Sequence, residues 1–142
     1  MLFRSWVARS TNPASGELYV VSLADIDAIG DRNLPVIEAA YEIGFTATGL
    51  VVQPGSQWAY VSTTNNSNDV IRVDLQDTAN NFILDLDGMA TTTDIVRTDD
   101  GKIVVSSRNN NGGAEVHVRS SSLSAVYGQV EVGDHEIGRA HV

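Results

Sequence analysis

The 142-residue chain contains no cysteine, which excludes disulfides, thiolate metal sites and c-type haem attachment. Its only lysine is Lys102, and 9 basic residues face 18 acidic ones, a formal net charge of −9. Nucleic acid is therefore not an expected partner, because binding it needs basic residues to neutralise phosphates. The same balance keeps a surface soluble. No stretch approaches the roughly 20 apolar residues that a membrane span requires, so no membrane insertion is expected. Catalytic residues are not in evidence either. Ser62, Ser106 and Ser107 fall in strands with no histidine base in register and no strand-to-helix elbow.

What the chain does have is a repeat. Three segments close on an acidic residue and a glycine: Glu42-Ile43-Gly44, Asp87-Gly88 with Leu86 before it, and Glu131-Val132-Gly133. The closing glycines, at positions 44, 88 and 133, recur at the period of 40–45 residues that marks a β-propeller blade. Leu50 to Thr63 aligns without a gap on Asp94 to Ser107. Each half reads as an apolar strand, a tight turn at Pro54-Gly55-Ser56 or Asp99-Asp100-Gly101, and a second apolar strand, hence a hairpin. A polar loop follows, then a third strand in which Ile71, Val73 and Leu75 alternate with Val70, Arg72 and Asp74. In the other copy Val116 and Val118 alternate with Glu115, His117 and Arg119. Period two predicts one wet face on each, with His117 on the polar side. Fourth strands are expected over Asn81 to Asp87 and Ala125 to Val132.

The first segment is the same unit without its inner strand. Trp6 to Ser10 matches the second strand, Thr11 to Gly16 the polar loop, and Tyr19, Val21 and Leu23 stand where Ile71, Val73 and Leu75 do. Its extra residues, Ala24 to Glu38, contain the breakers Gly30-Asp31 and Asn33-Leu34-Pro35, with a short helical turn expected around Asp25 to Ile29. Both ends look foreign. Leu2 to Ser5 resembles a translation of CTC TTC CGA TCT, the end of a common sequencing adapter. Glu136 to Val142 resembles GAG ATC GGA AGA GCA CAC GTC, the reverse complement of the same oligonucleotide. Residues 1–5 and 136–142 are accordingly set aside as a fusion scar would be, and the native part, Trp6 to His135, is expected to be an internal piece of a larger gene.

Tyr60-Val61-Ser62-Thr63-Thr64-Asn65, preceded by a Pro-Gly turn and followed by Asp69-Val70-Ile71-Arg72-Val73-Asp74-Leu75, resembles the YVTN-type β-propeller repeat. Asp100-Gly101-Lys102-Ile103-Val104-Val105-Ser106 is similar, with valine in place of the tyrosine. The resemblance covers essentially all of Trp6 to His135. It implies an all-β fold, a β-propeller fragment of four-stranded antiparallel blades: a partial blade over 6–44, fuller blades over 45–88 and 89–133, and the start of another at 134–135. Proteins with such blades include periplasmic and surface binding proteins, lactonase-like hydrolases and cofactor-bearing oxidoreductases, so the fold alone does not choose an activity.

The expected function is a non-catalytic ligand- or protein-binding scaffold, with a protein or small molecule as partner and no cofactor. Part of a lactonase-like hydrolase is the alternative, its site in other blades, and a cell-surface structural repeat protein is a third. The lack of cysteine, together with abundant Asn, Ser, Thr and Gly, suits a periplasmic or extracellular location. Ligand contacts at the channel mouth are expected from His135, in the loop joining two blades, from Asp94 in an inner strand, and from Arg108 at a loop. With His141 in the adapter-like tail, His117 and His135 cannot build a three- or four-ligand metal site by imidazole alone. Asp25, Asp27, Gly30 and Asp31 resemble a calcium loop only faintly, since Ile29 and Val36 occupy positions that need oxygen ligands. Repetition of Glu42, Asp87 and Glu131 at the blade period points to a structural duty. Trp58, Tyr60, Phe82 and Tyr127 are expected in the core, where each buries about 150–250 Å².

Overall fold

The computed structural model describes residues 4–12, 15–22, 36–43, 46–53, 55, 57–64, 69–77, 80–86, 89–109 and 113–132. The calcium-like loop, the helical turn expected near Asp25, Asp87 and His135 lie outside them. The fold is all-β, with antiparallel sheets and no helix among the described residues. The chain divides into two units, Met1–Ala47 and Thr48–Val142.

In the first unit β1 (Arg4–Asn12), β2 (Ser15–Ser22) and β3 (Val36–Glu42) form one sheet in that order. Leu18 is paired with both Ala8 and Tyr41, and Leu18, Val20 and Tyr41 are buried together on one face, as strand alternation requires. Ile43 N donates to Gly16 O at 2.7 Å and closes the end of the sheet. Arg4 and Ser5, set aside as adapter-like, pair with Ser22 and Val21, because backbone pairing asks only for an extended chain. β3 starts at Val36, inside the segment read as an insertion.

The second unit holds two four-stranded sheets. One runs β4 (Ala47–Val52), β5 (Trp58–Thr63), β6 (Val70–Asp74) and β7 (Phe82–Leu84). The other runs β8 (Met89–Arg97), β9 (Ile103–Asn109), β10 (Ala114–Arg119) and β11 (Val126–Val132). Both predicted hairpin turns form, with Gly55 at φ 68° and Gly101 at φ 85°, a region glycine enters without steric cost. Thr98 and Lys102 flank the second turn: Thr98 N donates to Lys102 O, and Gly101 N to Thr98 O, each at 2.9 Å.

The two sheets meet face to face. Tyr60, Val70 and Leu84 on one pack against Ile95, Ile103 and Val105 on the other, with Leu86 and Leu123 completing the cluster. Leu123, in the β10–β11 turn, has φ 67° and is fully buried; the strain of a left-handed leucine, about 1–2 kcal/mol, is offset by burying its side chain. The inner strands approach closely at Gly49, where a Cβ would lie 2.9 Å from Ser62 Oγ and 3.1 Å from Ile95 Cγ2. Thr92 fastens the sheets by a shared hydrogen bond, its hydroxyl donating to Thr63 O at 2.5 Å and Asp69 O at 3.0 Å.

Three expectations are corrected. β6 has no wet face: Val70, Ile71, Val73 and Asp74 are all buried, because both of its sides are covered. His117 is buried, not on a polar face. Its partner Val105 and the pairing of Ile71 with Val61 put His117 where Ile71 sits in the other sheet, one residue out of phase with the reading from the valines. Tyr127 is 61% exposed and outside the core. The register shift between Val118 and Arg119, where Val118 pairs with Gly128 and Arg119 with Val126, leaves Tyr127 as the extra residue of a bulge. Phe82, by contrast, packs on the core beside Trp58.

Candidate functional site

Of the residues expected at the channel mouth, Asp94 and Arg108 lie among the described residues. Asp94 stands exposed on β8, its Oδ1 accepting from Ile95 N at 2.8 Å. It borders a cleft of about 150 Å³ whose other walls include Val96, Val104, Ser106 and Val116. Arg108 is exposed near the end of β9, its backbone paired with Thr91 and Ala114. No ion pair joins Asp94 to Arg108 among the described residues.

Each sheet, taken by itself, carries acids where its third strand meets its fourth or, in the first sheet, its second meets its third. Glu17 pairs with Glu42, and Glu115 with Glu131. In the middle sheet Val70 pairs with Leu84, so the next residues, Asp69 and Asp85, take the same places, and the Asp85 charge acts on Asp69. The equivalent of Glu42 and Glu131 is therefore Asp85, not Asp87. Acids facing each other across strands are mutually repulsive. Each sheet relieves this in its own way. The Tyr19 hydroxyl donates to Glu17. Gln129 donates to Glu115 at 2.6 Å, and His117 Nε2 lies 3.1 Å from the same Glu115 oxygen. Asp69 is fully buried, and its Oδ2 accepts from Leu86 N at 2.7 Å while Oδ1 has no partner. Burial, helped by Asp85, pushes its pKa up to about 6. Burial also lowers the pKa of His117, which the Glu115 charge only partly offsets. No group of three or more metal-ligating side chains occurs among the described residues.

A groove of about 510 Å³ lies at the β4–β5, β6–β7 and β10–β11 turns. Its walls come from Gln53, Gln57 and Gln76, from Trp58, Tyr60 and Arg72, and from Ser121 and Ser122. Strand geometry builds it from the core outward. Tyr60 pairs with Arg72, and Arg72 with Phe82, which places the guanidinium over the Trp58 ring at 4.2 Å and 5.6 Å from that of Phe82. Stacking of this kind fixes a guanidinium and leaves its edge free for hydrogen bonds. Arg72 Nε is buried without an acceptor. Tyr60 donates to Ser121 O at 2.7 Å and so pins the β10–β11 turn as the far wall; burial raises its pKa despite Arg72 and Arg97 nearby. Asp74 holds the β6–β7 turn, accepting from Gln76 N, Asp77 N, Asn80 Nδ2 and Gln57 Nε2 at 2.9–3.2 Å. Those bonds, that of Gln76 foremost, lower its pKa. They also draw Gln57 to the groove.

In a chain with twice as many acidic as basic residues, a groove that contains arginine and no carboxylate among its walls is unusual. Arg72 lies between Trp58 and Tyr60 on one neighbouring strand and Phe82 on the other, an arrangement visible only once the register is known. Comparison with protein-family models, with curated proteins and with solved structures finds no match to the chain.

Proposed function

We propose that this chain belongs to a YVTN-type β-propeller, exported from the cell, that works as a non-catalytic binding scaffold, and that the Trp58–Arg72 groove receives a small polar ligand bearing a carboxylate or similar anionic group. The observation that carries the ligand class is Arg72: a cation held over the Trp58 ring among the walls of a groove of amides and hydroxyls. A carboxylate there would gain charge-assisted hydrogen bonds, while the glutamines and serines would orient the rest of the ligand. Ser121 and Ser122 have no histidine among the groove residues to activate them, which favours binding over hydrolysis. The propeller reading draws its support from the consecutive antiparallel sheets of three, four and four strands and from the face-to-face packing of the last two.

The test is a fluorescence titration with Trp6 replaced by Phe so that Trp58 alone reports. Citrate, glutamate and galacturonate are compared with glutamine and galactose as neutral counterparts. Saturable quenching by at least one carboxylate, weakened tenfold or more by Arg72→Gln, is expected. Equal responses to the charged and neutral probes, or an unchanged response in Arg72→Gln, would remove the ligand assignment.

A further inference from the structure

Three of the nine basic residues gather where the two sheets of the second unit meet. Arg72 stands beside Tyr60 on the middle sheet. In the last sheet Ile103 is paired with Arg97 on one side and Arg119 on the other, and residues paired directly across strands share a face. Ile103 and Tyr60 are both fully buried in one cluster, so the face that carries Arg97 and Arg119 is the one turned toward the middle sheet. The Tyr60 hydroxyl reaches Ser121 O, just beyond Arg119, at 2.7 Å. A Cβ on Gly101 would lie 3.4 Å from Arg97 Nη2, which puts that guanidinium beneath the β8–β9 turn, at the same end of the last sheet as Ser121. Burial raises the Tyr60 pKa, and Arg72 and Arg97 both act against it, so one phenol in the groove wall feels both charges.

Among the described residues none of the three arginines has a carboxylate partner: the ion pairs there are those of Lys102 and His117. All three are half-buried, and the Nε of each is buried without an acceptor. Like charges brought together and partly desolvated repel. The chain has 18 acidic residues to draw on and places none of them in the groove wall, so the compensating charge is left for a ligand to bring. We propose that the groove takes a dicarboxylate, one carboxylate held by Arg72 and the second by Arg97. The proposal rests on the groove reading and extends it from one anionic group to two. The two cations belong to different sheets, which suits two carboxylates joined by a short spacer, and each guanidinium can offer a pair of N–H donors to one of them. Gln53, Gln57 and Gln76 in the same wall supply amides along the spacer.

Trp58 fluorescence in the Trp6→Phe chain reads the test. Succinate, glutarate and adipate are each titrated beside their monoamides, succinamate, glutaramate and adipamate, which keep the shape and remove one charge. At least one diacid should bind tenfold or more tighter than its monoamide. Arg97→Gln should narrow that ratio to less than threefold, and Arg97→Lys, which keeps the charge, should hold it above threefold. Arg72→Gln should weaken diacid and monoamide alike. Equal affinities for a diacid and its monoamide in the Trp6→Phe chain would overturn the proposal and leave a groove for a single carboxylate. So would a ratio that survives Arg97→Gln, or one that Arg119→Gln narrows as much, since the field of any nearby cation would then account for it. Binding of none of the probes would remove the groove reading and the proposal with it. The ligand pairs test the need for a second charge without any change at Arg97, so the proposal stays open to refutation even where Arg97→Gln fails to fold.

Discussion

Asp69 gives the sharpest test of the packing between the sheets. Its carboxyl is fully buried, bonded through one oxygen to Leu86 N and near the Asp85 charge. Its pKa rises from 3.8 to about 6, so between those values the folded chain holds a proton that the unfolded chain has released. Stability from this group therefore increases as pH falls through about 6 toward 4, and the cost of the buried charge is fully present at neutral pH. About two pH units at 1.36 kcal/mol each set the scale, on the order of 2–3 kcal/mol. Asp69→Asn keeps an acceptor for Leu86 N and removes the titration. Urea unfolding of both proteins at pH 7, 6, 5 and 4, read as a difference at each pH, cancels the opposite contribution of His117. That residue, with its pKa lowered, costs stability as pH falls. The difference should move in favour of the native sequence by about 2–3 kcal/mol on acidification. A flat difference, or one that moves the other way, would show that the carboxyl is solvated and that the sheets do not close over it.

Other substitutions probe separate links. Thr92→Val, nearly isosteric, removes the hydroxyl shared by Thr63 O and Asp69 O and should cost about 1–2 kcal/mol in the same urea assay. Leu84→Ala should cost about 2–4 kcal/mol and Val130→Ala less than about 1, although the two positions correspond, because only the first empties a packed site. Gly101→Ala, at φ 85°, should cost about 1 kcal/mol, whereas Gly49→Ala drives a methyl against Ser62 and Ile95 and should lower the thermal midpoint more than Gly101→Ala does. Asp74→Ala should loosen the β6–β7 turn and weaken carboxylate binding in the groove, since Gln57 and Gln76 lose their anchor; unchanged affinity would separate that turn from the site.

The parts of the fold visible in the sequence were the local ones. Gly55 and Gly101 announce their hairpins because a two-strand turn needs positive φ at a particular residue, and the gapless match of residues 50–63 to 94–107 puts Tyr60 and Val104 in equivalent places. Partners farther apart were harder. His117 and Tyr127 were misplaced because strand phase after a polar loop depends on how many residues the loop absorbs and on a bulge at Val118 and Arg119, neither of which alternation encodes. β6 was misread because a strand covered on both sides need not alternate, and there Arg72 and Asp74 lie among apolar neighbours by virtue of the Trp58 ring and the β6–β7 turn. The facing acids, Glu17 with Glu42 and Glu115 with Glu131, were hidden for the same reason: each pair is distant in sequence. The groove needed all of this at once, since it takes Trp58 and Arg72 from adjacent strands and Ser121 from the next sheet.

The Nε–H resonance of Arg72 tests the central claim most directly. Followed by nitrogen-15 NMR through a titration with the carboxylate that quenches Trp58, it should shift progressively and saturate together with the backbone amides of Gln57, Gln76 and Ser122, while those of Asp94 and Arg108 stay in place. A stationary Arg72 resonance, with shifts collecting instead around Asp94 and Arg108, would contradict the groove and return the binding site to the opposite end of the sheets.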